Sequence, residues 1–296
     1  MPIEVDLRPR GPFSLRLSCR RSVDGRTFHG GLFSALLAID DRVERGIAAQ
    51  RSDGSLRLRA ETREGLEQLR FILAVDDDHS EFLRRFSRDP LLREATWHLR
   101  GLRPIRVPTV VQAVLRALCG QLIESSRARQ LERRIVRAAM PSVDTLSEPP
   151  TARALGAFAP SRLRALGLHA RRGATLVRLC RELDPERLRG VATDVAAGRL
   201  QRERGLGPWS VGVVCLEGLG RCEVGLVGDL GLVKLCSALR GRWVDADETA
   251  ELLEPYGEWA GLASVYLLSA FSRGLVPLPD GSRVRKPPAR IHQRAA

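Results

Sequence analysis

Apolar residues recur with two different periods along this chain, and the change falls near residue 95. In the first part Phe13, Leu15, Leu17 and Cys19 alternate with polar neighbours, as do Leu56, Leu58 and Ala60, which predicts strands in both places. Arg42 to Gln50 reads as a further strand, with Gly30-Gly31 and Asp53-Gly54 supplying turns. A helix is expected from about Thr62 to Leu73, because Leu66, Leu69 and Leu73 fall on one face. Residues 1–95 are therefore expected to form a small α+β domain built on an antiparallel sheet.

After Asp89-Pro90, a cap followed by a proline suited to a first helical turn, the period becomes helical almost throughout. Helices are predicted over Val110–Leu122, Arg127–Met140, Ser161–Leu166, Ala170–Glu182, Asp194–Gln201 and Trp209–Gly218. Three more follow over Asp229–Leu239, Ala246–Leu253 and Trp259–Arg273. Residues 276–296 are rich in proline and arginine, lack a packing pattern and are expected to be disordered. No internal repeat is visible.

Composition narrows the function classes. The chain has 296 residues and a formal net charge of +13, an excess that favours polyanions: nucleic acid or an anionic membrane surface. Nearly all the bases are arginine, Lys234 and Lys286 being the only lysines, and a GC-rich coding bias would produce the same skew. No apolar run approaches the roughly 18 residues of a membrane span, and the first residues lack the pattern of an export signal. The cysteines at 19, 119, 180, 215, 222 and 236 share no metal-ligand spacing, so reduced buried thiols and no metal site are expected, with the cytoplasm as location.

The candidate chemistry lies in Gly205-Leu206-Gly207-Pro208-Trp209-Ser210 and in Asp229, twenty residues beyond the tryptophan. A glycine-x-glycine turn that opens a helix offers bare backbone N–H groups and the positive end of the helix dipole to a phosphate. Asp229 opens the next predicted helix, where an aspartate ordinarily serves as a cap and can also face a ligand. The turn alone is a weak signal, since glycine-bearing helix-turn-helix units occur in many folds.

With this spacing the chain resembles the helix-hairpin-helix (HhH-GPD) DNA glycosylase superfamily, and within it the AlkA-like 3-methyladenine DNA glycosylases. Gly205, Gly207, Trp209, Ser210 and Asp229 carry the likeness. Leu118-Cys119-Gly120-Gln121-Leu122, Ala165-Leu166-Gly167-Leu168 and Pro255-Tyr256-Gly257-Glu258-Trp259 extend it, so that it covers about Val107 to Gly274. The resemblance implies that residues 96–275 form two helical subdomains flanking a cleft.

What the resemblance implies about function is specific. The expected enzyme acts in base excision repair as a monomer on double-stranded DNA bearing a damaged base, in the cytoplasm or on the nucleoid. Asp229 is the expected catalytic residue. Trp209, Trp259, Val213 and Gln121 are expected around the extruded base, and Leu122, Gly205, Leu206, Gly207 and Ser210 on the DNA. Leu122 matches the wedge that fills the vacated stack, and Arg127, Arg129, Arg133 and Arg134 are candidates for the backbone. A lysine that forms a Schiff base in some relatives belongs where Trp209 stands, so a monofunctional hydrolase is implied; Lys234 lies about one and a half turns along its helix. No cofactor is expected, although the resemblance allows a structural monovalent cation on the carbonyls of the hairpin. Two features depart from the pattern: Val213 stands where an aromatic is common, and Ala260-Gly261-Leu262 is less polar than usual. Two other readings stay open, a non-catalytic protein for bent or damaged DNA and a glycosylase for deaminated or oxidised bases.

Overall fold

The computed structural model describes residues 2–19, 26–39, 42–121 and 123–279. The N-terminal part is a five-stranded antiparallel sheet of β1 (Ile3–Leu7), β2 (Arg26–His29), β3 (Leu32–Ile39), β4 (Arg42–Gln50) and β5 (Leu56–Ala60), in the order β1-β5-β4-β3-β2. Alternation in β5 places Leu56, Leu58 and Ala60 inside and Arg57 and Arg59 outside. Helix α2 (Arg63–Leu73) covers that inner face with Leu66, Leu69, Ile72 and Leu73. Its start is fixed by Thr62, whose hydroxyl accepts from the Gly65 amide at 3.0 Å.

The strand expected over residues 13–19 is instead a single helical turn, α1 (Leu15–Ser18). Ser14 caps it by accepting from the Leu17 amide at 3.2 Å, and the turn buries Leu15 and Cys19, one turn apart. Over so few residues an alternating pattern and a one-turn pattern cannot be told apart, and the cap decides. β1 and the β2–β3 hairpin were not foreseen. In β3 the sequence Leu32-Phe33-Ser34-Ala35-Leu36-Leu37-Ala38-Ile39 is apolar on both faces and so shows no clean alternation.

The rest of the described chain is mostly helical. Helices α3 (Ser80–Arg85), α4 (Arg93–His98), α5 (Val110–Gly120) and α6 (Ser125–Ala139) lead to a short hairpin of β6 (Ser142–Val143) and β7 (Leu146–Ser147). They are followed by α7 (Ala152–Gly156), α8 (Pro160–Ala165), α9 (Ala170–Glu182), α10 (Thr193–Arg202) and α11 (Pro208–Val213). The last three are α12 (Leu230–Arg240), α13 (Glu248–Leu253) and α14 (Ala260–Phe271). Helix α5 is the axis of this part: Val110, Val111, Val114, Leu115 and Leu118 are all fully buried. A second tie comes from Tyr266 of α14, whose hydroxyl donates toward the carbonyls of Leu99 and Leu102 at 3.2 Å each.

The one base in the apolar α5 face, Arg116, is matched from two sides. It donates to both carboxylate oxygens of buried Glu132 on α6 and pairs with Glu217. Burial alone would depress the guanidinium pKa; the two carboxylates overturn that and hold it well above its ordinary value. Glu217 lies in the wide π turn Val214–Leu219 that continues α11, and its carbonyl accepts from the Val107 amide at 2.8 Å. This pairing fixes α5 against the helix that carries the glycine-rich turn.

All six cysteines are free, and burial pushes the thiols of Cys19, Cys180, Cys215 and Cys222 up to about 12. Among the described residues no helix is long and apolar enough to cross a membrane, and no cluster of His, Cys, Asp and Glu could hold a metal. Of the tail expected to be disordered over 276–296, residues 276–279 are described, with Val276 buried in the main core, and 280–296 lie outside the described residues.

Candidate active site

The glycine-rich turn joins α10 to α11. Gly205 has φ +98°, a backbone conformation that suits glycine, and an added Cβ would lie 2.7 Å from the Thr175 hydroxyl. Gly207 differs. Its φ of −87° is open to any residue and a Cβ there would meet nothing within 4 Å. Gly207 caps α11, and Pro208 takes the first helical position, where a missing N–H costs nothing. The remaining first-turn amides have no partner one turn back within the helix, which is the arrangement that accommodates an anion.

Asp229 is the N-cap of α12 and is half-buried. Its Oδ1 accepts from the Gly231 amide at 2.7 Å, and its Oδ2 accepts from the Trp209 indole Nε1 at 2.9 Å. Capping therefore occurs as the sequence suggested, and it occupies only one oxygen. Two donors leave about two of the four lone-pair directions of the carboxylate free. The acid is held in one orientation without being saturated. Beside it Leu230 is 50% exposed, an apolar side chain left on the surface next to the carboxylate.

Trp209 is itself positioned by α5. Gly120 lies against the ring so closely that a Cβ there would come within 2.4 Å of Cη2. The next residue, Gln121, donates from Nε2 to the Gly205 carbonyl at 2.8 Å and to the Ser210 hydroxyl at 2.9 Å. The nitrogen end of this amide follows from its neighbour, since a carbonyl can only accept. Gln121, Ser210, Gly205, Trp209 and Asp229 thus form one connected set that reaches from the turn to the acid.

The other expected residues are placed as follows. Ser210 is 1% exposed and is spent on Gln121, while Leu206 and Val213 lie in the main hydrophobic core. Leu122 lies outside the described residues. Trp259 joins an aromatic group with His79 and Phe82, at ring separations of 6.5 and 5.9 Å. Its Nε1 is buried without a hydrogen-bond partner. On α6, Arg134 donates to the Leu166 carbonyl at 3.1 Å, Arg127 is exposed, and Arg129 and Arg133 are half-exposed. Two contributors were not foreseen. Thr175 and Arg178 of α9 both donate to the Arg204 carbonyl, at 3.2 and 3.3 Å. Nothing local in the sequence marks them, because only the packing of α9 brings them to the turn.

A small antiparallel sheet and a helical body whose glycine-rich turn is joined to an aspartate-led helix make up a fold that this chain shares with solved DNA glycosylases. Among solved structures, the 3-methyladenine DNA-glycosylase from Archaeoglobus fulgidus matches with a TM-score of 0.79 at 20% identity, covering 90% of this chain and 98% of that one. The 8-oxoguanine glycosylase/lyase of Clostridium acetobutylicum, in complex with double-stranded DNA containing cytosine opposite 8-oxoG, matches with a TM-score of 0.73 at 17% identity, over 93% and 98%. In sequence, the DNA-3-methyladenine glycosylase of Bacillus subtilis (strain 168) is 27% identical over 205 residues, 65% of this chain and 67% of that protein. No family model matches the chain.

Proposed function

We propose that the protein is a monofunctional DNA glycosylase that removes alkylated purines of the 3-methyladenine and 7-methylguanine type from double-stranded DNA. The observation that carries this reading is the Asp229 carboxylate, fixed by Trp209 and Gly231 and still able to accept. The likeness to two 3-methyladenine glycosylases, one in sequence and one in structure, supports the choice of lesion.

An N-glycosidic bond inside a duplex is out of reach until the nucleotide is turned out of the stack. In the proposed reaction the hairpin amides hold the strand by a phosphate, with Gly207 leaving room for its backbone to approach. As the C1′–N bond breaks, the base leaves with the bonding electrons and the sugar gathers positive charge. Asp229 stabilises that charge. At about 4 Å, opposite charges attract by about 4 kcal/mol at an effective dielectric of 20, against about 1 kcal/mol in bulk water. Water then forms the new bond to C1′ and passes its proton to the free lone pairs of the same carboxylate.

A methylated purine carries positive charge before cleavage and leaves as a neutral base, so it needs little acid assistance. Indole faces suit such a base, with cation–π attraction of roughly 0.5 to 2 kcal/mol. Trp209 and Trp259, both half-buried, are the candidates. Trp209 has no amine, so no Schiff base forms at that position and the strand stays intact.

The test is incubation of the full chain with duplex DNA carrying methylated, deaminated or oxidised bases, with released bases and strand breaks counted separately. Release of methylated purines without strand breaks is expected. Release of none of the bases rejects the enzyme, and borohydride trapping of a protein–DNA adduct rejects the hydrolytic route.

A further inference from the structure

We infer that two buried hydroxyls, Thr249 on α13 and Ser264 on α14, set the position of Asp229 by holding the backbone turn that leads into it. Both act through the chain and not on the carboxylate. They are positioning residues, and their role in the reaction rests on the reading of Asp229 as the group that stabilises the charged sugar.

Leu226, Val227, Gly228 and Asp229 form a four-residue turn, in which the Leu226 carbonyl accepts from the Asp229 amide at 3.0 Å. Gly228, third in the turn, has φ +85°, the left-handed conformation that a type II turn requires at that place. Two further amides of the turn are taken by side chains from other helices. The Leu226 amide donates to Ser264 Oγ at 3.1 Å, and the Gly228 amide donates to Thr249 Oγ1 at 2.7 Å. Ser264 and Thr249 are both fully buried. A buried amide that loses its acceptor is costly, so each hydroxyl fixes one point of the turn.

Each hydroxyl is itself aimed. It has one hydrogen to give and two lone-pair directions with which to accept. Ser264 gives its hydrogen to the Ala260 carbonyl at 2.7 Å, one turn back along α14, and Thr249 gives its own to the Ala246 carbonyl at 2.5 Å. The lone pairs are thereby left for the amides, which can only donate. Helix α14 grips the same segment three residues earlier, where the Gly261 amide donates to the Cys222 carbonyl at 2.7 Å. A Cβ on Gly261 would lie 2.8 Å from the carbonyl oxygens of both Cys222 and Val224, so the segment lies directly on the first turn of α14. Asp229 follows at once, with Oδ1 on the Gly231 amide and Oδ2 on the Trp209 indole. Those two bonds orient its carboxylate, and the two hydroxyls hold the backbone from which it projects.

The test compares the full chain with Thr249→Val and Ser264→Ala, which each remove one hydroxyl, and with Thr249→Ser, which keeps it. Hydrogen exchange of the Gly231 amide and of the Trp209 indole N–H, the two donors to Asp229, reports on the acid without any reaction. Both protons are expected to exchange about fivefold faster in Thr249→Val and in Ser264→Ala, the loss of one ordinary hydrogen bond, while α5 keeps its protection as a control for folding. Single-turnover base release from methylated duplex DNA is expected to fall about tenfold in each, with DNA affinity unchanged. Thr249→Ser is expected to restore both readouts. Unchanged exchange of the two reporters in both variants overturns the inference, and so does a loss of rate that DNA affinity matches or that Thr249→Ser fails to restore. If the unaltered chain releases no base while the reporters still respond, the proposed function fails and the hydroxyl hold on Asp229 stands.

Discussion

The indole Nε1 of Trp209 donates to Asp229 Oδ2 at 2.9 Å, joining the first turn of α11 to the first residue before α12 across twenty residues of chain. A tryptophan read as the wall of a base pocket is thereby also the residue that orients the proposed catalytic acid. Its ring is held from behind by Gly120, and its donor is spent on the carboxylate.

Replacing Trp209 with phenylalanine keeps an aromatic face and removes this donor. A hydrogen bond to a charged group is worth about 1.5 to 3 kcal/mol, so the single-turnover rate on methylated DNA is expected to fall about tenfold or more. Affinity for the same DNA should change little. If the indole serves only as a stacking surface, Trp209→Phe will react at nearly the original rate.

The two glycines of the turn are predicted to behave differently. Gly205→Ala forces a side chain into a left-handed conformation and against Thr175, at a cost of about 1 to 2 kcal/mol, so the melting temperature and DNA affinity should both fall. Gly207→Ala meets no protein atom and should melt like the parent chain. Its DNA affinity should nevertheless drop, because the phosphate backbone would occupy the space above it. Unchanged affinity in Gly207→Ala would mean that DNA does not approach this position.

His79 gives the fold an acid-sensitive limb. Burial first, then the charges of Arg103 and Arg106, depress its imidazole to about 3, and Asp78 opposes them weakly. The Asp77 carboxylate is 3.9 Å away, too far for a hydrogen bond, and is already paired with Arg106. The unfolded chain therefore takes up a proton near pH 6.5 that the folded chain refuses until about pH 3. The contribution is fully present above pH 6.5 and is lost progressively as the pH falls toward 3, on the order of a few kcal/mol in all. Urea melts across this window should show a shallower decline for His79→Gln than for the parent. Parallel declines would remove His79 from the account.

The helical part of the fold was legible because caps and a 3.6-residue period agreed. Ala170–Glu182 has the predicted bounds, and α12 begins one residue after its Asp229 cap. The strand-rich part was less so, since β3 is apolar on both faces and the turn at Leu15–Ser18 is too short to have a period. At the site, the turn and the acid could be read locally. The Trp209–Asp229 bond, the Gln121 bridge and the α9 braces could not, because each joins positions 20 to 89 residues apart through packing that no local pattern encodes.

Asp229→Asn is the most direct test, because asparagine caps a helix as well as aspartate does while removing the charge. Base release from methylated duplex DNA should be followed under single-turnover conditions, with DNA affinity and the melting temperature measured alongside. The account predicts a fall in rate of about a hundredfold or more with DNA binding retained, and a small drop in melting temperature because the single amide oxygen accepts from Gly231 or from Trp209 but not from both. Equal release by Asp229→Asn and the parent chain would contradict it.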